Sequence, residues 1–149
     1  MFRFVFSILV PVSEKKKNMT EFKKKMMQEA LHLAIENVLE KGGPFGAVIV
    51  KGDRVIARAA NEVLNTNDPT AHAEVQAIRK ACLKLGTYEL TECEIYCSCE
   101  PCPMCLGAIY WSGISKIYYA STREDAEEAG FRDRHIYQEI GLPPADRSI

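Results

Sequence analysis

The chain of 149 residues is 47% hydrophobic and 26% charged, which is typical of a single globular domain that can bury a substantial core. Its six cysteines are too sparse for a secreted disulfide scaffold and favour metal binding or reduced thiols in the cytoplasm. The formal net charge is −1, with basic residues concentrated near the N-terminus and an acidic remainder, which argues against a nucleic-acid partner.

Residues 1–18 differ in character from the rest of the chain. The apolar run MFRFVFSILVPV superficially resembles a signal peptide, but it has no small-residue cleavage site and is too short to span a bilayer. Met19 stands directly before a favourable helix start. We therefore expect residues 1–18 to be a disordered leader or a start-site artefact. Residues 19–149 are expected to form one domain of a cytoplasmic protein with no membrane partner.

The first half of the domain predicts a helix, a hairpin and a second helix. Apolar residues recur at helical spacing after Thr20, an N-cap candidate, until Gly42 and Gly43. FGAVIV, KGD and RVIARAA then predict two strands joined by a tight turn. NEVLNTNDP predicts a loop, after which Thr70 is placed to cap a helix that begins at TAHAE.

The second half continues to alternate between strands and helices. CEIYCSC alternates with a period of two and predicts a third strand. EPCPMCLGAIYWSG has prolines suited to a first helical turn and a glycine suited to its end. KIYYAS predicts a fourth strand, and TREDAEEAGFRDRHIYQEI predicts one or two surface helices. This order predicts a layered α/β domain whose sheet contains one antiparallel hairpin.

Four cysteines crowd the segment CSCEPCPMC at residues 97–105. Cys102 and Cys105 are three apart at a predicted helix start, so both face the same side of the first turn, where the helix dipole favours thiolate. Two thiolates at this spacing supply half of a tetrahedral zinc site. Cys97 and Cys99 precede them on the predicted strand, and we interpret both as apolar packing beneath the site.

Two other kinds of site use a similar cysteine spacing. A thioredoxin-like redox pair has C-x-x-C at a strand-to-helix turn, but it needs none of the other features of this sequence. A ferredoxin cluster would match Cys99, Cys102 and Cys105. However, Ile109 stands where its fourth cysteine is due, followed by Tyr110 in place of proline.

His72 and Glu74, in AHAE, lie at the start of the second predicted helix. Histidine with two cysteines leaves the fourth position of a tetrahedral zinc open for water, which is the mark of a catalytic site. Zinc lowers the pKa of that water to about 7. Glu74 is then placed to take the proton of the water and return it to a leaving group. A lone histidine or glutamate at a helix start is more often a cap or a surface residue, and only the combination with PCPMC favours catalysis.

The combination of H-x-E with P-C-x-x-C resembles the zinc nucleobase deaminase superfamily, and the resemblance extends over residues 20–149. GGPFGAVIV, NDPTAHAEV, AIRKAC, SCEPCPMCLGAIYW and EAGF are similar, more particularly, to the bacterial guanine deaminase family. The resemblance implies a three-layer α/β/α cytidine deaminase-like fold with a central mixed sheet. It also implies a homodimer that converts guanine to xanthine and ammonia, with one Zn²⁺ per chain and a water or hydroxide as fourth ligand.

The same resemblance implies roles for individual positions. The zinc ligands are His72, Cys102 and Cys105, and the proton shuttle is Glu74. The substrate contacts are the Asn61 amide, the Ala73 backbone, aromatic walls at Phe45 and Trp111, and the Asp133 carboxylate, which reads ring N–H or amino groups of the purine.

Without the resemblance, some of these residues have plainer interpretations. Phe45 and Trp111 are also compatible with core packing, Asn61 with shaping a loop, and Asp133 with a solvated helix start. We interpret Glu100, which precedes Pro101, as a cap.

Two features leave the functional interpretation open. Members of the guanine deaminase family continue past the equivalent of PPADRSI with a segment that closes over an active site, whereas this sequence stops at Ile149. The site is therefore expected to be open, closed by another element, or impaired. The alternative activities are guanosine deamination and tRNA adenosine deamination, and a non-catalytic zinc-binding protein of the same fold is the alternative from another class.

Overall fold

The computed structural model describes residues 20–131 and 133–149. The predicted leader, residues 1–18, lies outside the described residues. The secondary-structure elements in chain order are α1 (Glu21–Leu39), β1 (Gly43–Lys51), β2 (Arg54–Asn61), α2 (Val63–Thr66), α3 (Ala73–Leu85), β3 (Cys93–Cys99), α4 (Pro103–Ser112), β4 (Lys116–Ser121), α5 (Arg123–Glu128), α6 (Asp133–Gly141) and a 3-10 turn (Pro144–Asp146).

Four strands form one mixed sheet in the order β2-β1-β3-β4. β1 is antiparallel to β2 and to β3, whereas β3 and β4 are parallel. The hairpin turns at Gly52, whose φ of 56° lies in the left-handed region that glycine adopts readily. The parallel pair follows from the crossover through α4, since parallel neighbours need a connection that crosses the sheet. The predicted strands and hairpin are confirmed.

Helices cover both faces of this sheet. On one face, Met26 and Ala30 of α1 pack with Val48 and Tyr96. On the other face, α3 and α4 pack against the sheet through an apolar cluster that includes Ala77, Ile95, Cys97 and Ile109. Alternate residues of β1 and β3 thus enter opposite clusters, as the period of two requires. The architecture is the predicted three-layer α/β/α fold.

The start of α1 is as predicted, whereas two details before α3 differ. The Thr20 side chain accepts a hydrogen bond from the Lys23 N–H at 3.3 Å and caps α1. The predicted loop after β2 contains the short helix α2. Thr70 does not cap α3, because its N–H and its hydroxyl both donate to Asp68 Oδ1, at 2.8 and 2.7 Å. His72 occupies the N-cap position of α3 instead.

The charged segment after β4 forms two helices rather than one. Thr122 caps α5 in a reciprocal arrangement with Asp125, whose carboxylate accepts from the Thr122 N–H at 2.7 Å. α6 follows after Gly130 (φ 95°) and carries no buried side chain among its described residues. None of the helices in the described ranges is long and apolar enough to cross a membrane.

Candidate active site

The starts of α3 and α4 bring three candidate metal ligands together. His72 and Cys102 are the N-cap residues of these helices, and neither side chain makes a capping hydrogen bond. His72 Nδ1 lies 3.5 Å from Cys102 Sγ and 3.5 Å from Cys105 Sγ. The three ligand atoms all lie within 4.8 Å of one another.

This donor set fits zinc in both chemistry and spacing. Imidazole nitrogen and cysteine sulfur are the usual zinc donors, with Zn–N of about 2.0–2.1 Å and Zn–S of about 2.3 Å. A tetrahedron with those bond lengths has N···S edges of about 3.5 Å. Both N···S distances here are 3.5 Å. Both distances from His72 therefore match the edges of such a tetrahedron.

The electrostatics of the cluster favour a thiolate at one of its two cysteines, Cys102. The Cys105 hydrogen bond, with the neighbouring His72, lowers the pKa of the Cys102 thiol to about 4. The same coupling, together with burial, raises the pKa of Cys105. A thiolate is the form of cysteine that binds metal. Cys102 is therefore prepared as a ligand before any ion arrives.

Glu74 lies beside this cluster in a buried position. Its side chain is in the first turn of α3, the residue is only 7% exposed, and its Oε2 accepts a hydrogen bond from Cys105 Sγ at 3.5 Å. Burial raises the pKa of the carboxyl to about 7. A carboxyl with that pKa can both accept and donate a proton at neutral pH.

A cleft of about 270 Å³ opens next to these residues. Such a volume accommodates a small flat molecule. The described residues that line it are Gly43, Phe45, Asn61, Val63, Leu64, His72, Glu74, Glu100, Cys102, Phe131 and Asp133.

Three of the predicted substrate contacts lie on the wall of this cleft. Phe45 lies within an irregularity of β1, where the register shifts between Gly43 and Gly46. Asn61 ends β2, and its Oδ1 accepts from the Val63 N–H at 3.2 Å. Because the amide oxygen of Asn61 accepts this bond from the start of α2, its N–H₂ group is the part that can donate to a ligand.

Asp133 reaches the cleft from the first turn of α6. Desolvation raises the pKa of its carboxyl. Asp133 lies far from Phe45 and Asn61 in the sequence. The cleft thus combines residues from β1 to α6.

Two other predicted contacts do not line the cleft. Trp111 is 90% exposed and is absent from the lining. It lies nine residues after Cys102, which corresponds to about 13 Å along α4, so the helix carries it away from the metal ligands. Ala73, whose backbone was the predicted contact, is fully buried between His72 and Glu74 and is not among the residues that line the cleft.

Asn37 of α1 supports the cleft, although no motif of the sequence indicates it. Its Nδ2 donates to the carbonyl oxygens of Gly43 and Asn61, both at 2.7 Å. It therefore ties the start of β1 to the end of β2, where both strands meet the cleft. The sequence signal that could have indicated Asn37 is its position in the helix: it lies on the same face of α1 as the buried apolar residues Met26, Ala30 and Ala34.

Comparisons with known proteins agree with this geometry. The sequence profile of the cytidine and deoxycytidylate deaminase zinc-binding region matches residues 20–121. Guanine deaminase of Bacillus subtilis (strain 168) is 56% identical over 124 residues, which are 83% of this chain and 80% of that protein. The X-ray structure of guanine deaminase from Bacillus subtilis superposes with a TM-score of 0.84 at 54% identity, over 88% of this chain and 83% of that one.

A tRNA-specific adenosine deaminase of Aquifex aeolicus (strain VF5) is similar over a shorter range. It is 45% identical over 87 residues, which are 58% of each protein. The matched residues of the profile contain His72, Glu74, Cys102 and Cys105. The chain therefore belongs to the cytidine and deoxycytidylate deaminase family, whose shared region binds zinc.

Proposed function

We propose that the protein catalyses the hydrolytic deamination of guanine to xanthine and ammonia, as part of purine salvage or catabolism. The observation that carries the proposal is the position of Glu74 and of the donor set His72, Cys102 and Cys105 at one cleft with Asn61 and Asp133. A buried acid–base group, a metal site and polar groups for a purine edge thus meet at one place. The similarity to a guanine deaminase over most of both chains supports this choice of substrate.

Each residue has a defined task in this reaction. Zinc bound by His72, Cys102 and Cys105 would supply a water with a pKa of about 7. Glu74 would take one proton from the attacking water and return it to the exocyclic amino nitrogen of guanine. The bond from C2 to that nitrogen is then replaced by a C2–O bond, ammonia leaves, and the second proton of the water ends on N3 of xanthine. The Glu74 pKa of about 7 suits both transfers.

The wall of the cleft orients the purine. The Asn61 N–H₂ group donates to acceptors on the purine edge, and the Asp133 carboxylate accepts from ring N–H or amino groups. Phe45 presents an aromatic side chain to the same cleft, where a flat heteroaromatic ring gains stacking energy.

A substrate panel tests this proposal. Ammonia release by the zinc-loaded protein should give a higher kcat/KM for guanine than for adenine, cytosine or guanosine. A tRNA anticodon stem-loop belongs in the same panel, because a tRNA-specific deaminase is among the relatives. A preference for guanosine or for the stem-loop would overturn guanine as the substrate. Zinc binding without ammonia from any compound would favour the non-catalytic alternative.

We also propose that the protein is a cytoplasmic homodimer. α4 is rich in apolar residues around its circumference, and Tyr110 and Trp111 at its end are 77% and 90% exposed. A helix that is hydrophobic all round is normally covered. A second copy of the chain would cover this surface. The reducing cytoplasm suits the thiols of the metal site.

The single tryptophan of the chain offers a direct test of this dimer. Trp111 emission should shift to shorter wavelength as the protein concentration rises, in step with dimer formation in sedimentation experiments. Trp111→Glu should sediment as a monomer while binding the same amount of zinc. A dimer of unchanged stability in Trp111→Glu would contradict the assignment of this surface.

A further inference from the structure

α6 contributes Asp133 to the cleft, although the helix itself is held at the surface. None of its described residues is buried. The position of the Asp133 carboxylate therefore depends on a small number of specific contacts rather than on an apolar core.

Tyr137 makes the contact that ties α6 to the metal site. Its hydroxyl donates to the carbonyl oxygen of Pro101 at 3.1 Å. Pro101 directly precedes Cys102, one of the candidate zinc ligands. Tyr137 lies four residues after Asp133, and residues at this spacing share one face of a helix. The hydrogen bond thus joins the face that carries Asp133 to the start of α4.

The ring of Tyr137 is held in place from the other side. The guanidinium of Arg123 lies 5.0 Å from the ring centroid, a cation–π contact. The Glu100 carboxylate accepts from the backbone N–H of Arg123 at 3.0 Å. Because Glu100 adjoins Pro101, the segment directly after β3 contacts both Arg123 and the hydroxyl of Tyr137.

A second attachment lies on the other side of Asp133. Phe131 packs edge-to-face against Phe45, with ring centroids 4.9 Å apart and an interplanar angle of 72°. This contact fixes the chain just before α6, whereas the hydroxyl of Tyr137 fixes α6 one turn after Asp133. Of these two contacts, the one made by Tyr137 joins α6 directly to the segment that carries a metal ligand.

We infer that Tyr137 is a positioning residue for purine recognition, which holds Asp133 at its distance from the metal ligands through the hydrogen bond to Pro101. The inference rests on the proposed function, since it assigns Asp133 to the purine. Tyr137 itself does not line the cleft, so it acts through Asp133.

Tyr137→Phe removes the hydroxyl and keeps the ring against Arg123. A neutral hydrogen bond contributes modestly to stability, so we expect KM for guanine to rise about two- to tenfold. We expect kcat to change by less than about twofold, because Glu74 and the metal ligands are untouched. Tyr88→Phe is the matched control, since Tyr88 is 77% exposed and is not among the residues that line the cleft.

A double-mutant cycle with Asp133→Asn separates positioning from general structural damage. If Tyr137 acts through Asp133, then Tyr137→Phe should add less than about twofold to KM in the Asp133→Asn background. If turnover of the variants is too slow to follow, the same four proteins can be compared by the Kd of the guanine analogue 8-azaguanine, measured by calorimetry. Effects of Tyr137→Phe that are equal in both backgrounds would overturn the inference.

Hydrogen exchange tests the same contact without any substrate. Amides of residues 134–141 should exchange faster in Tyr137→Phe than in the wild type, with no change in Tyr88→Phe. Unchanged exchange in Tyr137→Phe would overturn the inference even if guanine is the substrate. Failure of guanine turnover in the wild type, with the exchange difference present, would instead locate the error in the proposed function.

Discussion

The Glu74 carboxyl occupies a position that water reaches poorly, between the start of α3 and the Cys105 sulfur. Its pKa of about 7 follows chiefly from desolvation. Burial of a carboxyl group lowers the stability of the fold. Here it also gives Glu74 a pKa at which it can exchange a proton near neutral pH.

Glu74→Gln keeps the shape of the side chain and removes its ability to carry a proton. We expect kcat for ammonia release to fall by about 10²- to 10⁴-fold, with zinc content unchanged by metal analysis. Glu128→Gln, at an exposed position of α5, should retain full activity. Retention of most activity in Glu74→Gln would exclude Glu74 as the proton shuttle.

Asn37 is a buried polar residue that supports the cleft from behind, because its amide donates to two carbonyl oxygens at once. Asn37→Ala leaves both without this donor, and we expect the free energy of unfolding to fall by about 1–3 kcal/mol in urea titrations. Gln28→Ala, at an exposed position of the same helix, should change it by less than about 0.5 kcal/mol. Equal stabilities of the two variants would contradict the role of Asn37.

At this scale the sequence predicted part of the site. Cys102 and Cys105 were predictable because ligands on one helical turn have a fixed spacing, and His72 and Glu74 because their pattern accompanies that spacing. Asn37 was not predictable, since its partners are backbone carbonyls that come near only after folding. The burial of Ala73 and the exposure of Trp111 likewise depend on how whole helices pack.

At the scale of elements, α1 and β1 approach so closely that one glycine is required between them. A Cβ atom at Gly46 would meet the backbone oxygen of Ala30, and it would lie 2.8 Å from Leu33 Cβ. The backbone of α1 cannot move away without disturbing the apolar cluster that it forms with the sheet.

Gly46→Ala should therefore lower the free energy of unfolding by about 1–3 kcal/mol. Gly141→Ala is the control, because a Cβ there meets no atom within 4 Å and its effect should stay within about 0.5 kcal/mol. Urea unfolding of both variants measures the difference. A stable Gly46→Ala protein would show that α1 can move away from β1.

The elements themselves were largely predictable from two kinds of signal. β3 alternates with a period of two and α1 repeats apolar residues at helical spacing, whereas α4 is bounded by a proline and a glycine. The exceptions fall at polar junctions. Asp68 competes for both donors of Thr70, and local side-chain hydrogen bonds of this kind leave no periodic pattern. The short helix α2 lies in the same polar segment and was not predicted, because it also leaves no periodic pattern.

For the whole molecule, the metal site is a cross-link between two helices that belong to separate parts of the chain. Ion binding to the folded arrangement stabilises it by mass action, by about 2.7 kcal/mol at an ion concentration one hundred times Kd.

Removal of zinc by a chelator should therefore lower Tm, and added zinc should restore it in a concentration-dependent manner. Cys105→Ala should abolish this response, whereas Cys82→Ala should keep it because Cys82 lies outside the ligand group. Thermal scans with and without chelator provide the measurement. A Tm of the wild type that does not depend on zinc would contradict the cross-link.

The order of the strands has a further consequence for behaviour at high concentration. β4 lies at one end of the sheet, so within the described residues its only neighbouring strand is β3. Its sequence KIYYAS is rich in aromatic and apolar residues, and an edge of this kind is a template for addition of another strand. Concentrated preparations are therefore expected to aggregate by sheet extension at β4, which light scattering at increasing protein concentration measures.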